Sequence, residues 1–129
     1  MCGIFGLISK KQFDQDHLKF LANHARQRGK DSSGLVYYED NVYKIKRADY
    51  DINKLLKNNK VNSQLVFGHS RLITNGLHDN QPVVRDDCFV IHNGIIVNHQ
   101  EVWKKINETP LFQIDSEIIL GITNSHFSN

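Results

Sequence analysis

The sequence has 129 residues, 40% of them hydrophobic, and a formal charge of +2 at neutral pH. That length supports one compact core, and so small a charge gives no ground for a nucleic-acid or membrane-surface partner. No apolar run could span a bilayer and no basic-then-apolar leader opens the chain, so a cytoplasmic protein with no membrane association is expected. In such a compartment Cys2 and Cys88 are expected as free thiols.

In chain order, CGIFGLIS (2–9) predicts a buried strand whose glycines mark close backbone approach. Leu18, Leu21, Ala22 and Ala25 recur at helical spacing, which predicts a helix within 13–29. Asp14 is its N-cap, Phe13 and Leu18 are spaced as a hydrophobic staple, and Gly29 is the expected stop. SGLVYYEDNVYKIKR (33–47) reads as a hairpin turning at Asp40-Asn41, a pair that tolerates positive φ. Ile52, Leu55 and Leu56 form one face of a short helix, and SQLVFGHSRLI (63–73) is a strand. TNGLHDNQPVVRDD (74–87) reads as loop, and CFVIHNGIIV (88–97) is β-rich on both sides of Asn93-Gly94. Asn98 can cap a third helix holding Val102, Trp103 and Ile106. DSEIILGITN (115–124) opens a fourth, with acidic residues suited to the helix dipole. No linker or repeat divides residues 1–129, so one α+β unit is expected.

Seven histidines raise the question of a metal, but none stands in a ligand pattern, and no metal site is expected. Three turns carry more polar chemistry than connectors need: RGKDSSG (28–34), GHSRLITNG (68–76) and HNGIIVN (92–98). Each is weak evidence by itself. In order behind MCGIFG, with NQPV before the last and DSE after it, they resemble the class II glutamine amidotransferases, which are N-terminal-nucleophile hydrolases. The resemblance runs from Cys2 to about Leu120, and HNGIIVN and RGKDSSG are most similar to the glucosamine-6-phosphate synthase type. It implies a four-layer αββα sandwich, of which 1–129 would be the amino-terminal part only. It also implies glutamine as nitrogen donor and no cofactor.

The residues themselves can support that chemistry. Methionine removal, favoured by a small second residue, would give Cys2 a thiol and a free α-amine on one carbon. A free thiol near pKa 8.5 is mostly protonated at neutral pH, and an α-amine near 7.7–8.0 is a suitable base for it. Such a pair can attack a side-chain amide, hold a thioester and release it to water. The resemblance assigns Asn93 and Gly94 to the oxyanion hole, and both can donate N–H groups without obstruction. It places Arg71 on the glutamine carboxylate, where a guanidinium binds bidentately, and Asp115 on its ammonium. Asp115 also stands where a helix N-cap belongs. Thr74 and Asn75 would complete the pocket, and Arg28 would steady the catalytic end of the first strand.

The chain departs from the glucosamine type at Leu72, usually tryptophan there, and at Asn75, usually histidine. A separately encoded remainder of the domain, or an ammonia-accepting synthase domain, is the expected partner. Two other readings stay open: an N-terminal-cysteine amidase for a different amide, and a glutamine-binding or interaction protein without turnover. Arg71 with Asp115 argues against the first, because other amides lack an amino-acid head group.

Overall fold

Strands and helices alternate through residues 2–72 and 80–127, which the computed structural model describes. Thr74 and Asn75 lie outside the described residues. Strands β1 (Gly3–Ile8), β2 (Ser32–Glu39), β3 (Val42–Ala48) and β4 (Leu65–Arg71) form one antiparallel sheet in the order β1-β4-β2-β3. The β2–β3 turn falls on Asp40 and Asn41, at φ 55° and 62°, as the sequence predicts. Two positive φ angles match the twist of the flanking strands, and short polar side chains tolerate them.

Helices α1 (Gln15–Arg26) and α2 (Ile52–Asn58) cover one face of this sheet. Leu18, Ala22 and Ala25 of α1 pack with Ile52 and Leu55 of α2 on Phe5, Leu35, Tyr37 and Val66. The Asp14 side chain accepts the Asp16 N–H and caps α1, and Asp51 does the same for α2 through Asn53 and Lys54. Gly29 does not end α1: the helix closes at Gln27 in right-handed conformation. The glycine is needed for close approach instead, because a Cβ there would stand 2.4 Å from the Arg71 carbonyl carbon.

The other face of the sheet receives a small hairpin of β5 (Val83–Arg85) and β6 (Cys88–Val90). Phe89 lies across it, 6.1 Å from the Tyr43 ring and 6.3 Å from Phe67. Helix α4 (Glu117–Phe127) packs behind the hairpin through Leu120, and α3 (His99–Ile106) packs on α4 by setting Trp103 against Gly121. The order of layers is therefore helix, sheet, sheet, helix. Two expectations are corrected here. Residues 83–85, read as loop, are a strand that pairs with β6, and the hairpin turns at Asp86 (φ 52°) rather than at Asn93-Gly94. The β-branched run 95–97 is not a strand: Ile95 and Val97 are exposed, and the Ile96 N–H is taken by a carboxylate instead of a ladder. No described helix is long and apolar enough to cross a membrane.

Candidate active site

Ninety-one positions of sequence separate Cys2 from Asn93, yet the Cys2 N–H donates to Asn93 Oδ1 at 3.0 Å. Because the amide oxygen faces Cys2, the amide NH2 of Asn93 points away from that nitrogen and is left as a donor. Asn93 and Gly94 are exposed and Cys2 is half-buried, so the group is open to a small molecule. Gly94 is also where a side chain would collide with the His92 ring, at 2.7 Å.

Strand register brings Arg71 to the same place. Gly3 pairs with Ser70, so the next step along both strands sets Cys2 opposite Arg71. Arg71 is buried at the end of β4, and Gly29 packs on its backbone. Arg28, one residue earlier, is exposed; its backbone N–H closes on Ala25 and its side chain makes no hydrogen bond or ion pair among the described residues.

The turn at Asn93-Gly94 is held from outside by three side chains. Gln81, buried, accepts the His92 N–H at 2.6 Å and donates to the His92 carbonyl at 3.0 Å. The Ser116 hydroxyl lies 3.0 Å from His92 Nδ1. Asp115 Oδ2 accepts the Ile96 N–H at 2.6 Å, and Oδ1 lies 3.4 Å from the Ser116 hydroxyl. Asp115 thus stands beside the turn, and among the described residues its carboxylate takes no N–H of α4. Gln81 and Ser116 were within motifs legible in the sequence, NQPV and DSE, but neither signalled a role.

Two buried groups back the site. His69 is fully enclosed between β1 and β2, and neither ring nitrogen reaches hydrogen-bond geometry with a described residue. Burial lowers its pKa to about 4, helped by the Arg71 charge and opposed by the nearby His92 backbone, so the ring is neutral at physiological pH. Glu117, in the first turn of α4 as the sequence predicts, is also fully enclosed. Its carboxylate accepts the N–H groups of Leu111 and Phe112 and pairs with Arg85 Nη1 at 2.8 Å. It therefore ties the segment before Asp115 to the hairpin. Among the described residues, no group of three or more His, Cys, Asp and Glu side chains is placed to hold a metal ion. A cleft of about 730 Å³ lies elsewhere, between α1 and α2, and contains none of these residues.

No family model matches the chain. It is 32% identical over 119 residues to the glutamine–fructose-6-phosphate aminotransferase (isomerizing) of Wigglesworthia glossinidia brevipalpis, covering 82% of this chain and 19% of that protein. The enzyme of the same name from Bartonella quintana is 30% identical over 128 residues, covering 92% and 21%. The chain is a homologue of the glutamine amidotransferases. It spans about a fifth of the length of the curated relatives it matches. Among solved structures, the glutamine phosphoribosylpyrophosphate amidotransferase of B. subtilis superposes with a TM-score of 0.72 at 22% identity, over 92% of this chain and 28% of that one. The chain thus shares the fold of that amidotransferase, as the motif order implies.

Proposed function

We propose that this chain carries the glutamine-hydrolysing half-reaction of an amidotransferase, with Cys2 as nucleophile. The observation that carries the reading is the bond from the Cys2 nitrogen to Asn93 Oδ1. With Met1 removed, that nitrogen is an α-amine. It can still donate one N–H to Asn93 while its lone pair accepts the thiol proton. The thiolate then attacks the glutamine Cδ, and the negative charge moves to the amide oxygen. The Asn93 NH2 and Gly94 N–H are the donors for that oxygen. Collapse breaks the C–N bond, the ammonium returns its proton to the departing ammonia, and a γ-glutamyl thioester remains on Cys2. Water, deprotonated by the same amine, releases glutamate.

Arg71 is the partner of the glutamine carboxylate and Asp115 of its ammonium; Thr74, Asn75 and Arg28 complete the pocket. The reaction uses no cofactor and is assigned to the cytosol. Ammonia passes to an acceptor held by a synthase domain, and residues 1–129 are the amino-terminal part of the glutaminase domain. The test is a glutamine-like diazoketone followed by peptide mapping, with ammonia release measured in parallel. Labelling at Cys2 with Cys88 untouched, in protein lacking Met1, is the expected result. Labelling at Cys88 alone, or full turnover with Met1 retained, overturns it.

A further inference from the structure

We propose that Gln81 is a positioning residue that sets the aim of the oxyanion donors, an inference that rests on the glutamine-hydrolysing reading above. Strand β6 ends at Val90, so no neighbouring strand among the described residues holds the backbone that leads into Asn93. Gln81 supplies the missing ladder. Its side-chain amide presents one acceptor and one donor, as a peptide unit does, and both engage His92, the residue before Asn93. The exchange of two bonds with one residue is what an antiparallel neighbour would provide.

The clamp is itself anchored to the first sheet. The Asn80 Nδ2 donates to the carbonyls of Ser33 in β2 and Ala48 in β3, at 3.0 and 3.2 Å, and Asn80 Oδ1 accepts the Gln81 N–H. Arg47 Nε donates to the Pro82 carbonyl at 2.8 Å. At Gly34 a Cβ would stand 1.7 Å from the Gln81 carbonyl oxygen, so only glycine lets this segment lie on β2. Continuous contact therefore runs from β2, which pairs with β4 and so sits beside Arg71, to the turn that carries Asn93. Oxyanion donors act only when held at about 2.7–3.1 Å from the oxygen of the transition state, and a misplacement of about 1 Å can cost on the order of 10²-fold in rate. Binding of glutamine, made through its head group, does not depend on that aim.

The experiment compares wild type with Gln81→Met and Gln81→Glu in the full protein lacking Met1, together with any partner polypeptide that turnover requires. Gln81→Met is expected to lower kcat for glutamine about 10- to 100-fold with KM within about twofold. Alkylation of Cys2 by iodoacetamide, a displacement that builds no oxyanion, is expected at the wild-type rate. Gln81→Glu keeps the acceptor and regains the donor only when its carboxyl is protonated, so its kcat relative to wild type rises as pH falls. Unchanged kcat in both variants overturns the clamp. A parallel loss of kcat and of iodoacetamide reactivity reduces Gln81 to a folding residue and overturns it as well. A wild-type protein that neither turns over glutamine nor takes the diazoketone at Cys2 overturns the reaction itself, and the role of Gln81 with it.

Discussion

In the proposed reaction Asn93 uses both ends of one amide, the oxygen on the Cys2 nitrogen and the NH2 for a charge that exists only in the transition state. Asn93→Ala should therefore lower kcat by about 10²–10³, or roughly 2.7–4 kcal/mol, while KM for glutamine changes far less. Steady-state ammonia release measures both; equal losses would make Asn93 a substrate contact or a folding residue. Cys2 and Asn93 could be singled out in the sequence by residue type and motif, and the fold brings the two together. Gln81 and Ser116 could not be, because their roles depend on partners 11 and 24 positions away that only the fold selects. His69 gives a second prediction. Unfolded histidine titrates near 6.5 and this one near 4, so between those values the unfolded chain binds a proton that the native chain does not. Stability is full above about pH 6.5 and falls as pH drops toward 4, by about 3 kcal/mol in total from this group. Urea melts of wild type and His69→Gln across that window check it; identical slopes would show that His69 does not contribute.

Among the elements, those whose signal is local were read correctly and those set by a distant neighbour were not. Helix α1 and the β2–β3 turn follow from spacing, capping and two residues that tolerate positive φ. The run 88–97 misled because β-branched residues mark strands only when a partner strand is present, and past Val90 the backbone bonds go to Gln81 and Asp115. Gly29 and Gly34 were placed by close approach to Arg71 and Gln81, which sequence cannot show. Gly34→Ala should push residues 80–82 off β2 and lower kcat in the manner of Gln81→Met, with a lowered urea midpoint as well; a variant with wild-type kcat would show that the anchoring does not reach the site. Between hairpin and helices, Glu117→Ala leaves the Arg85 guanidinium and two N–H groups short of a buried acceptor. Breaking such a pair costs about 3–5 kcal/mol, and the remaining Arg85–Glu108 contact places the loss near the lower figure. The urea midpoint should fall accordingly, and less for Glu117→Gln.

At the scale of the whole molecule, the hairpin covers only part of the first sheet's second face. Ile4, Ile8, Tyr38 and Tyr43 share that face by register and stay exposed, Ile8 at 73% and Tyr43 at 57%. Apolar burial is worth about 25 cal/mol per Å², so every ~400 Å² of such a face left open would forgo on the order of 10 kcal/mol. Residues 1–129 alone are expected to bind a hydrophobic dye, to self-associate and to turn over glutamine poorly. A covering segment, fused or added as a second polypeptide, should reverse all three; a monomeric, dye-silent and fully active chain would contradict this. The bond between Cys2 and Asn93 also imposes an order in time. β1 cannot pair until β4 has been synthesised, and the nitrogen of Cys2 cannot be engaged until Asn93 follows. At about 5–20 residues per second, those 91 residues leave the start of the chain without its partner for about 5–18 s on the ribosome. An aminopeptidase acting in that interval would meet Cys2 unpaired, so the loss of Met1 that the proposed reaction requires would come before the site closes.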